Sequence, residues 1–303
     1  MQNGKVRDFR KLVWNYYRKH GRNDLPWRSP SLKLRRTKEI LDPYKILVSE
    51  VMLQQTQVSR VIGKYKSFLR KFPTVQRLAK ASFSEVLKEW NGLGYNRRTK
   101  YLHDAAKLLA KKKKITATDF EKLPGVGPYT KNAVGVFSIN EPDVLIETNI
   151  RAAVIHYFYS SVSRPNDRSV GRVQKARMRD AELMPLLVDA AKGSPPTGGP
   201  REWHWALMDY GAHLKRSGVR NNHRSAHYAR QSKFEGSLRQ VRGAILRLLQ
   251  IGPLSDIQIP PRLNLGGSKE GVDEALEGLA KDGLIKKSAQ GRSTSGGGKG
   301  EIA

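Results

Sequence analysis

Apolar residues recur at helical spacing along most of the 303-residue chain. Phe9, Leu12, Val13, Tyr16 and Tyr17 share one side of a helix over about 6–19. The pattern breaks at Leu25-Pro26-Trp27-Arg28 and resumes at Pro43, which opens a helix running through Ser49 to about Tyr65, with a second over 65–71. Ser82-Phe83-Ser84-Glu85 carries the capping-box spacing, so a short helix should start there and end near Trp90. Asn91-Gly92-Leu93-Gly94-Tyr95 reads as a glycine turn, followed by a helix over about 97–113. Further helices are expected over 150–159, 177–192 and 203–214. Alternating apolar–polar runs are missing from this stretch, which predicts an all-α fold.

The pattern changes towards the C-terminus. Residues 215–233 are basic and poor in apolar side chains, and read as a loop or linker. Leu238, Val241, Ile245, Leu248 and Leu249 then mark one helix face, and Val272, Ala275, Leu276 and Leu279 another. Leu284-Ile285 and Gln290-Gly291-Arg292 suit a strand and a wing. A small winged-helix-like module is therefore expected over 234–292, with a flexible tail over 293–303. Two more polar stretches, 29–38 and 163–172, read as loops, and 193–200 as a Gly/Pro-rich break.

One turn stands out. In Leu123-Pro124-Gly125-Val126-Gly127-Pro128-Tyr129-Thr130, Gly125 and Gly127 tolerate backbone angles that side chains forbid. Pro128 suits a first helical turn, where its missing N–H costs nothing. A glycine turn feeding a helix N-terminus favours a phosphate, although an ordinary helix–helix connector has the same spelling.

Charge weighs towards the phosphate. Lys and Arg total 56 against 27 Asp and Glu, a formal net charge of +29. That excess points to nucleic acid or another polyanion as partner. No long apolar segment suggests a membrane partner, and residues 1–8 lack a signal-peptide core, so an intracellular protein is expected. The chain has no Cys, which excludes disulfides, cysteine-held iron–sulfur clusters and cysteine-based zinc sites.

Two carboxylates are the candidate chemistry. On a helix, Glu50 shares a face with Ile46, Leu47, Leu53 and Gln54. A carboxyl among apolar residues should have a raised pKa and suit general-acid work; a Glu paired with an arginine at a helix boundary is the plainer outcome. Glu147, in Glu147-Thr148-Asn149, precedes a helix, where the dipole and free N–H groups favour ionisation; an ordinary N-cap fits equally. One raised and one depressed carboxyl is the arrangement that cleaves glycosidic bonds. The amides of Gln54-Gln55-Thr56-Gln57 suit base contacts or a plain polar helix face.

Ser49-Glu50-Val51-Met52-Leu53-Gln54-Gln55-Thr56-Gln57-Val58 resembles the catalytic helix of MutY-type adenine DNA glycosylases. Leu25-Pro26-Trp27-Arg28 before it and Gly92-Leu93-Gly94-Tyr95 after it fit the same family, as does Met208-Asp209-Tyr210-Gly211-Ala212. Residues 123–130 resemble the hairpin of the helix–hairpin–helix superfamily, and the likeness covers about 6–214.

The resemblance implies a two-lobed helix–hairpin–helix fold in residues 1–233: a six-helix lobe over about 31–140, and a second lobe from 1–30 and 141–233. It implies that Glu50 protonates the leaving base and that Glu147 falls where the family has an aspartate stabilising the sugar cation. Tyr129 falls where bifunctional relatives carry a Schiff-base lysine, implying monofunctional excision that leaves an abasic site. Asn149 and Tyr129 would hydrogen-bond around the acid, and Trp27, Arg28 and Val51 would line the base pocket. Gln55, Leu93 and Tyr95 would enter the duplex, while Gly125, Val126, Gly127 and Thr130 would hold its phosphates.

The implied substrate is double-stranded DNA with a mismatched or damaged base, most directly adenine opposite 8-oxoguanine or guanine, handled by a nucleoid-associated monomer. Thymine or uracil opposite guanine, and mismatch binding without catalysis, are the alternatives. Three departures stand against the family pattern. Glu147 replaces the aspartate, no Nudix-like domain follows, and Lys215 stands where the first cluster cysteine would fall. No cofactor or metal is therefore expected. The basic loop after Lys215 should pack without metal, with His213, His223 and His227 exposed or facing DNA rather than ligating.

Overall fold

A computed structural model describes residues 2–28, 40–113, 115–159, 177–192, 199–229, 231–263, 269–287 and 292–295. The loops expected at 29–38 and 163–172, and all but the end of the break at 193–200, lie outside the described residues. The chain divides into two compact units, Met1–Pro43 with Lys131–Arg230 and Tyr44–Thr130 with Gln231–Ala303. No described helix is long and apolar enough to cross a membrane.

The first unit holds α1 (Gln2–His20), α8 (Thr148–Tyr159), α9 (Asp180–Lys192), α10 (Gly199–Arg216) and most of α7 (Pro128–Ile139). Its centre is aromatic. Phe9 of α1 meets Tyr157 and Phe158 of α8 at ring separations of 5.1 and 5.2 Å, and Trp203 of α10 edge-on at 6.5 Å. Gly211 lets α10 cross the start of α8 at backbone contact: a Cβ there would lie 2.0 Å from the Asn149 carbonyl oxygen. Asp209, on the same stretch of α10, is buried and accepts both guanidinium nitrogens of Arg28, at 2.9 and 3.0 Å, and the Arg22 Nε at 2.7 Å. Burial alone would raise this carboxyl, but Arg28 and Arg22 outweigh it and hold it below the usual range.

The second unit holds α2 (Pro43–Leu53), α3 (Val58–Lys71), α4 (Val75–Lys80), α5 (Phe83–Trp90) and α6 (Arg97–Leu109), together with the C-terminal elements. The helix expected to run from Pro43 to about Tyr65 is broken, because α2 stops at Leu53 and Gln54–Gln57 form a turn. The cause is Arg98 of α6. One of its guanidinium nitrogens takes the carbonyls of Val51, Met52 and Gln54, which continued helix would have used. The Ser82–Glu85 capping box forms as expected.

The C-terminal elements are α11 (Leu238–Leu249), β1 (Leu254–Ser255), α12 (Ile259–Arg262), α13 (Lys269–Lys281), β2 (Ile285–Lys287) and β3 (Arg292–Ser295). The strands make an antiparallel sheet in the order β1-β3-β2, a winged-helix arrangement. Residues 293–295 thus belong to a strand and not to the expected tail; Thr294 pairs with Lys286 and Ser293 with Leu254. Backbone pairing to strands on both sides holds a segment whose polar sequence gives no apolar signal. Lys215 and Arg216 likewise belong to α10 and not to the expected linker.

This module shares its core with α5. Ile245, Leu249, Val272, Leu276 and Leu279 cluster with Leu87 and pack against Phe83. Asp282 bonds Arg97 of α6 at 2.6 Å and also Arg242 of α11. The Asn91 side chain donates to Gln250 at 2.5 Å.

Candidate active site

Glu147 caps α8. Its Oε1 accepts the backbone N–H groups of Asn149 and Ile150, both at 2.9 Å, and its Oε2 accepts the Asn149 amide at 3.2 Å. Both oxygens are therefore oriented, and the longer Glu side chain curls back to fill a position usually given to Asp, Asn or Ser. Its ionisation departs from expectation. Burial raises the Glu147 carboxyl above the ordinary range, against the pull of these N–H groups and of Arg151 and Arg22. The N–H groups at the helix start do pull the carboxyl down, but desolvation by burial is the larger effect.

The approach to Glu147 is held by His204 of α10. Its Nε2 accepts the Leu145 N–H at 2.9 Å, so Nδ1 carries the proton and donates to the Pro200 carbonyl at 2.7 Å. Burial pulls this imidazole down from 6.5 to about 4. A depressed folded pKa means the unfolded chain binds the extra proton first, so this contribution is complete above 6.5 and drains away towards 4. Urea unfolding followed across that interval should show up to about 3 kcal/mol of stability lost, a slope that His204→Gln removes.

Glu50 lies on α2, half-buried, on a helix whose Ile46, Leu47, Val48, Val51 and Met52 are buried. Arg98 holds the end of that helix. Besides the carbonyls of α2, it bonds Thr56 Oγ1 at 3.0 Å and the Gly94 carbonyl at 3.0 Å, and stacks 5.4 Å from the centroids of Trp90 and Tyr95. Burial draws the guanidinium down to about 10, so it remains charged at neutral pH. Arg98 thus ties the Glu50 helix, the Gln54–Gln57 turn and the Gly92–Tyr95 turn to a single charge.

The two turns present their residues differently. Gln55 and Tyr95 both sit in the left-handed region, with φ of 54° and 49°, a conformation costing about 1–2 kcal/mol each for such side chains. Gln55 is exposed and Tyr95 partly so. Leu93, expected to enter a duplex, is 2% exposed. Its apolar side chain follows the hydrophobic effect inward, while its carbonyl faces Arg98.

The 123–130 turn is built as its spelling suggests. Gly125 has φ +72, and a Cβ there would lie 2.6 Å from Tyr101. A Cβ at Gly127 would meet no atom within 4 Å, so nothing inside the protein requires glycine; the exposed space suits an approaching ligand. The Val126 N–H closes the turn on Leu123 at 3.2 Å, and Pro128 opens α7. Thr130 is buried and accepts from Gln54 at 3.4 Å; Tyr129 is half-buried beside it.

Of the expected pocket residues, Trp27 and Val51 are buried, and the Arg28 guanidinium is engaged by Asp209 and lies 5.3 Å from the Trp205 ring centroid. The region after Lys215 is tied to α8 by protein groups. Asn221 donates to the Ala152 carbonyl at 2.9 Å, Arg224 to Tyr159 at 3.1 Å, and Met178 pairs with Ser225. His213 stacks on Tyr16 and His227 faces Asp180 at 3.5 Å. Among the described residues no three potential ligands converge on a metal position. A cysteine-held cluster does not fit a chain without Cys.

Arg98 and His204 carry no signal in the sequence. Gly211 lies in the quoted stretch 208–212, and its isolation inside a helical pattern is the legible sign of the close packing seen here.

Known proteins resemble this chain over most of its length. Residues 48–186 match the family described as HhH-GPD superfamily base excision DNA repair protein. An adenine DNA glycosylase of Mycolicibacterium smegmatis is 31% identical over 294 residues, covering 90% of this chain and 91% of its own. One from Mycobacterium tuberculosis is 30% identical, covering 95% of this chain and 92% of its own, so the likeness extends into the C-terminal module. A solved thermostable thymine-DNA glycosylase shares the fold, with a TM-score of 0.52 and 24% identity over 69% of this chain and 87% of that one. The chain therefore belongs to the HhH-GPD superfamily of base excision DNA repair proteins, alongside relatives named adenine DNA glycosylase.

Proposed function

We propose that this protein is a monofunctional DNA N-glycosylase that removes adenine mispaired with 8-oxoguanine or guanine from double-stranded DNA and leaves an abasic site. The observation that carries the base identity is the 31% identity to an adenine DNA glycosylase over nine-tenths of both chains. Glu50 protonates the departing base as the bond to C1′ breaks, so the leaving group departs neutral. Glu147, in its ionised form, stabilises the sugar cation until water adds to C1′. A developing cation favours the ionised carboxylate and so opposes the burial that raises Glu147 in the free protein. Asn149 keeps the carboxylate aimed, and Tyr129 completes the polar surroundings of the acid. Trp27, Arg28 and Val51 shape the base site. Gln55 and Tyr95 enter the duplex, while Gly125, Val126, Gly127 and Thr130 hold its phosphates.

The protein acts inside the cell, as a monomer and without cofactor. A panel of duplexes carrying adenine, thymine or uracil opposite guanine or 8-oxoguanine, treated with hot alkali after incubation, tests the reading. Alkali-dependent breaks are expected in the adenine strand; breaks confined to thymine or uracil strands overturn the adenine assignment. Because Tyr129 has no amine with which to form an imine, borohydride should trap no protein on DNA above background.

A further inference from the structure

The C-terminal module reaches the residues assigned above to enter DNA. Arg239, on α11, donates to the Tyr95 hydroxyl at 2.5 Å, and its guanidinium lies 5.4 Å from the Tyr95 ring centroid. Gln231, just ahead of the module, donates to the same hydroxyl and approaches the Gln55 amide oxygen at 3.4 Å. The Tyr95 hydroxyl is thus held from two sides by the C-terminal part of the chain. The Arg98 guanidinium also lies 5.4 Å from the ring centroid and donates to the neighbouring Gly94 carbonyl at 3.0 Å. The rest of the loop is flanked likewise, by the Asn91–Gln250 bond on one side and the Arg97–Asp282 pair on the other.

A left-handed tyrosine is costly and persists only where its surroundings over-determine it. Arg239, Gln231 and Arg98 are those surroundings. The exposed positions of α13 include Asp273, Glu274 and Glu277, which phosphates repel.

We propose that Arg239, assisted by Gln231, is a positioning residue that holds Tyr95 in its DNA-probing conformation, so that the C-terminal module works through α11 as part of the lesion-probing apparatus. The proposal rests on the reading of Tyr95 as a residue that enters the duplex.

Single-turnover excision by full-chain variants, on the duplex that the panel identifies as substrate, tests it. Arg239→Ala and Tyr95→Phe should each slow excision about tenfold, the scale of one charge-assisted hydrogen bond. The double variant should be no slower than either single one, since both remove the same contact. Arg239→Lys should recover part of the rate, as it keeps a cationic donor but not the stacked fork. In Arg239→Ala, affinity for undamaged duplex and the thermal midpoint should stay unchanged, which separates positioning from a merely structural role. Unimpaired excision by Tyr95→Ala overturns the reading of Tyr95 itself. A slowed Tyr95→Ala beside an unimpaired Arg239→Ala overturns only the role of Arg239. Additive losses in the double variant, with a shallower salt dependence of binding, would mean that Arg239 grips phosphate directly, and also overturn the proposal.

Discussion

Glu50→Gln is expected to lower single-turnover excision by about 10³-fold or more while leaving duplex affinity and the unfolding midpoint nearly unchanged. The amide is close to isosteric with the carboxyl and disturbs little on a half-buried helical position. It has no dissociable proton for the departing base, and positioned proton transfer contributes about 10²–10⁴-fold. Rates measured by alkaline cleavage with enzyme in excess, beside binding isotherms on the same duplex, check both halves. Retained excision in this variant would remove Glu50 from the reaction. Retained binding with no excision in the wild-type protein would instead favour a mismatch-binding protein without catalysis.

The second large effect is on stability. Asp209→Asn should cost about 3–5 kcal/mol in urea unfolding, because it leaves Arg28 buried without its counter-charge. The carboxylate accepts both Arg28 nitrogens, the Arg22 Nε and the Arg22 backbone N–H, and a neutral amide offers one oxygen where two now work. The pH dependence follows from its depressed pKa. The folded state binds this proton less readily than the unfolded chain, so the contribution is complete above the ordinary value of 3.8 and is lost as pH falls through the lower folded value. Wild-type protein should therefore show an acid-labile contribution below 3.8 that Asp209→Asn lacks. Glu50→Gln and Asp209→Asn thus separate chemistry from scaffold: one removes rate and keeps stability, the other removes stability first.

Much of the helical framework was legible along the chain. The 3.6-residue rhythm located the helices, and Ser82 with Glu85 marked a helix start that the structure reproduces. The break after Leu53 was not legible. Residues 43–65 carry a continuous helical pattern, and what ends α2 is Arg98, more than forty positions further along, arriving at carbonyls that local propensity assigns to helix. The strand over 292–295 was hidden for a related reason. Its sequence is polar, and only its pairing with β1 and β2 makes it a strand. At Glu147 the N-cap geometry was readable from three consecutive residues, but the direction of its ionisation was not. The local N–H groups lower that pKa, whereas the burial that raises it exists only in the folded chain.

By itself the sequence determined the helical class, the net positive charge that calls for a polyanion, the absence of any cysteine ligand and the identity of the two candidate carboxylates. These are properties of residue type and short-range spacing, which no folding can alter. Tertiary structure alone decided where α2 ends, that Leu93 turns inward, that Glu147 is raised rather than depressed, and that the C-terminal module holds Tyr95. Each of those depends on desolvation or on a hydrogen bond between positions far apart in the chain, and neither exists until the chain has closed on itself.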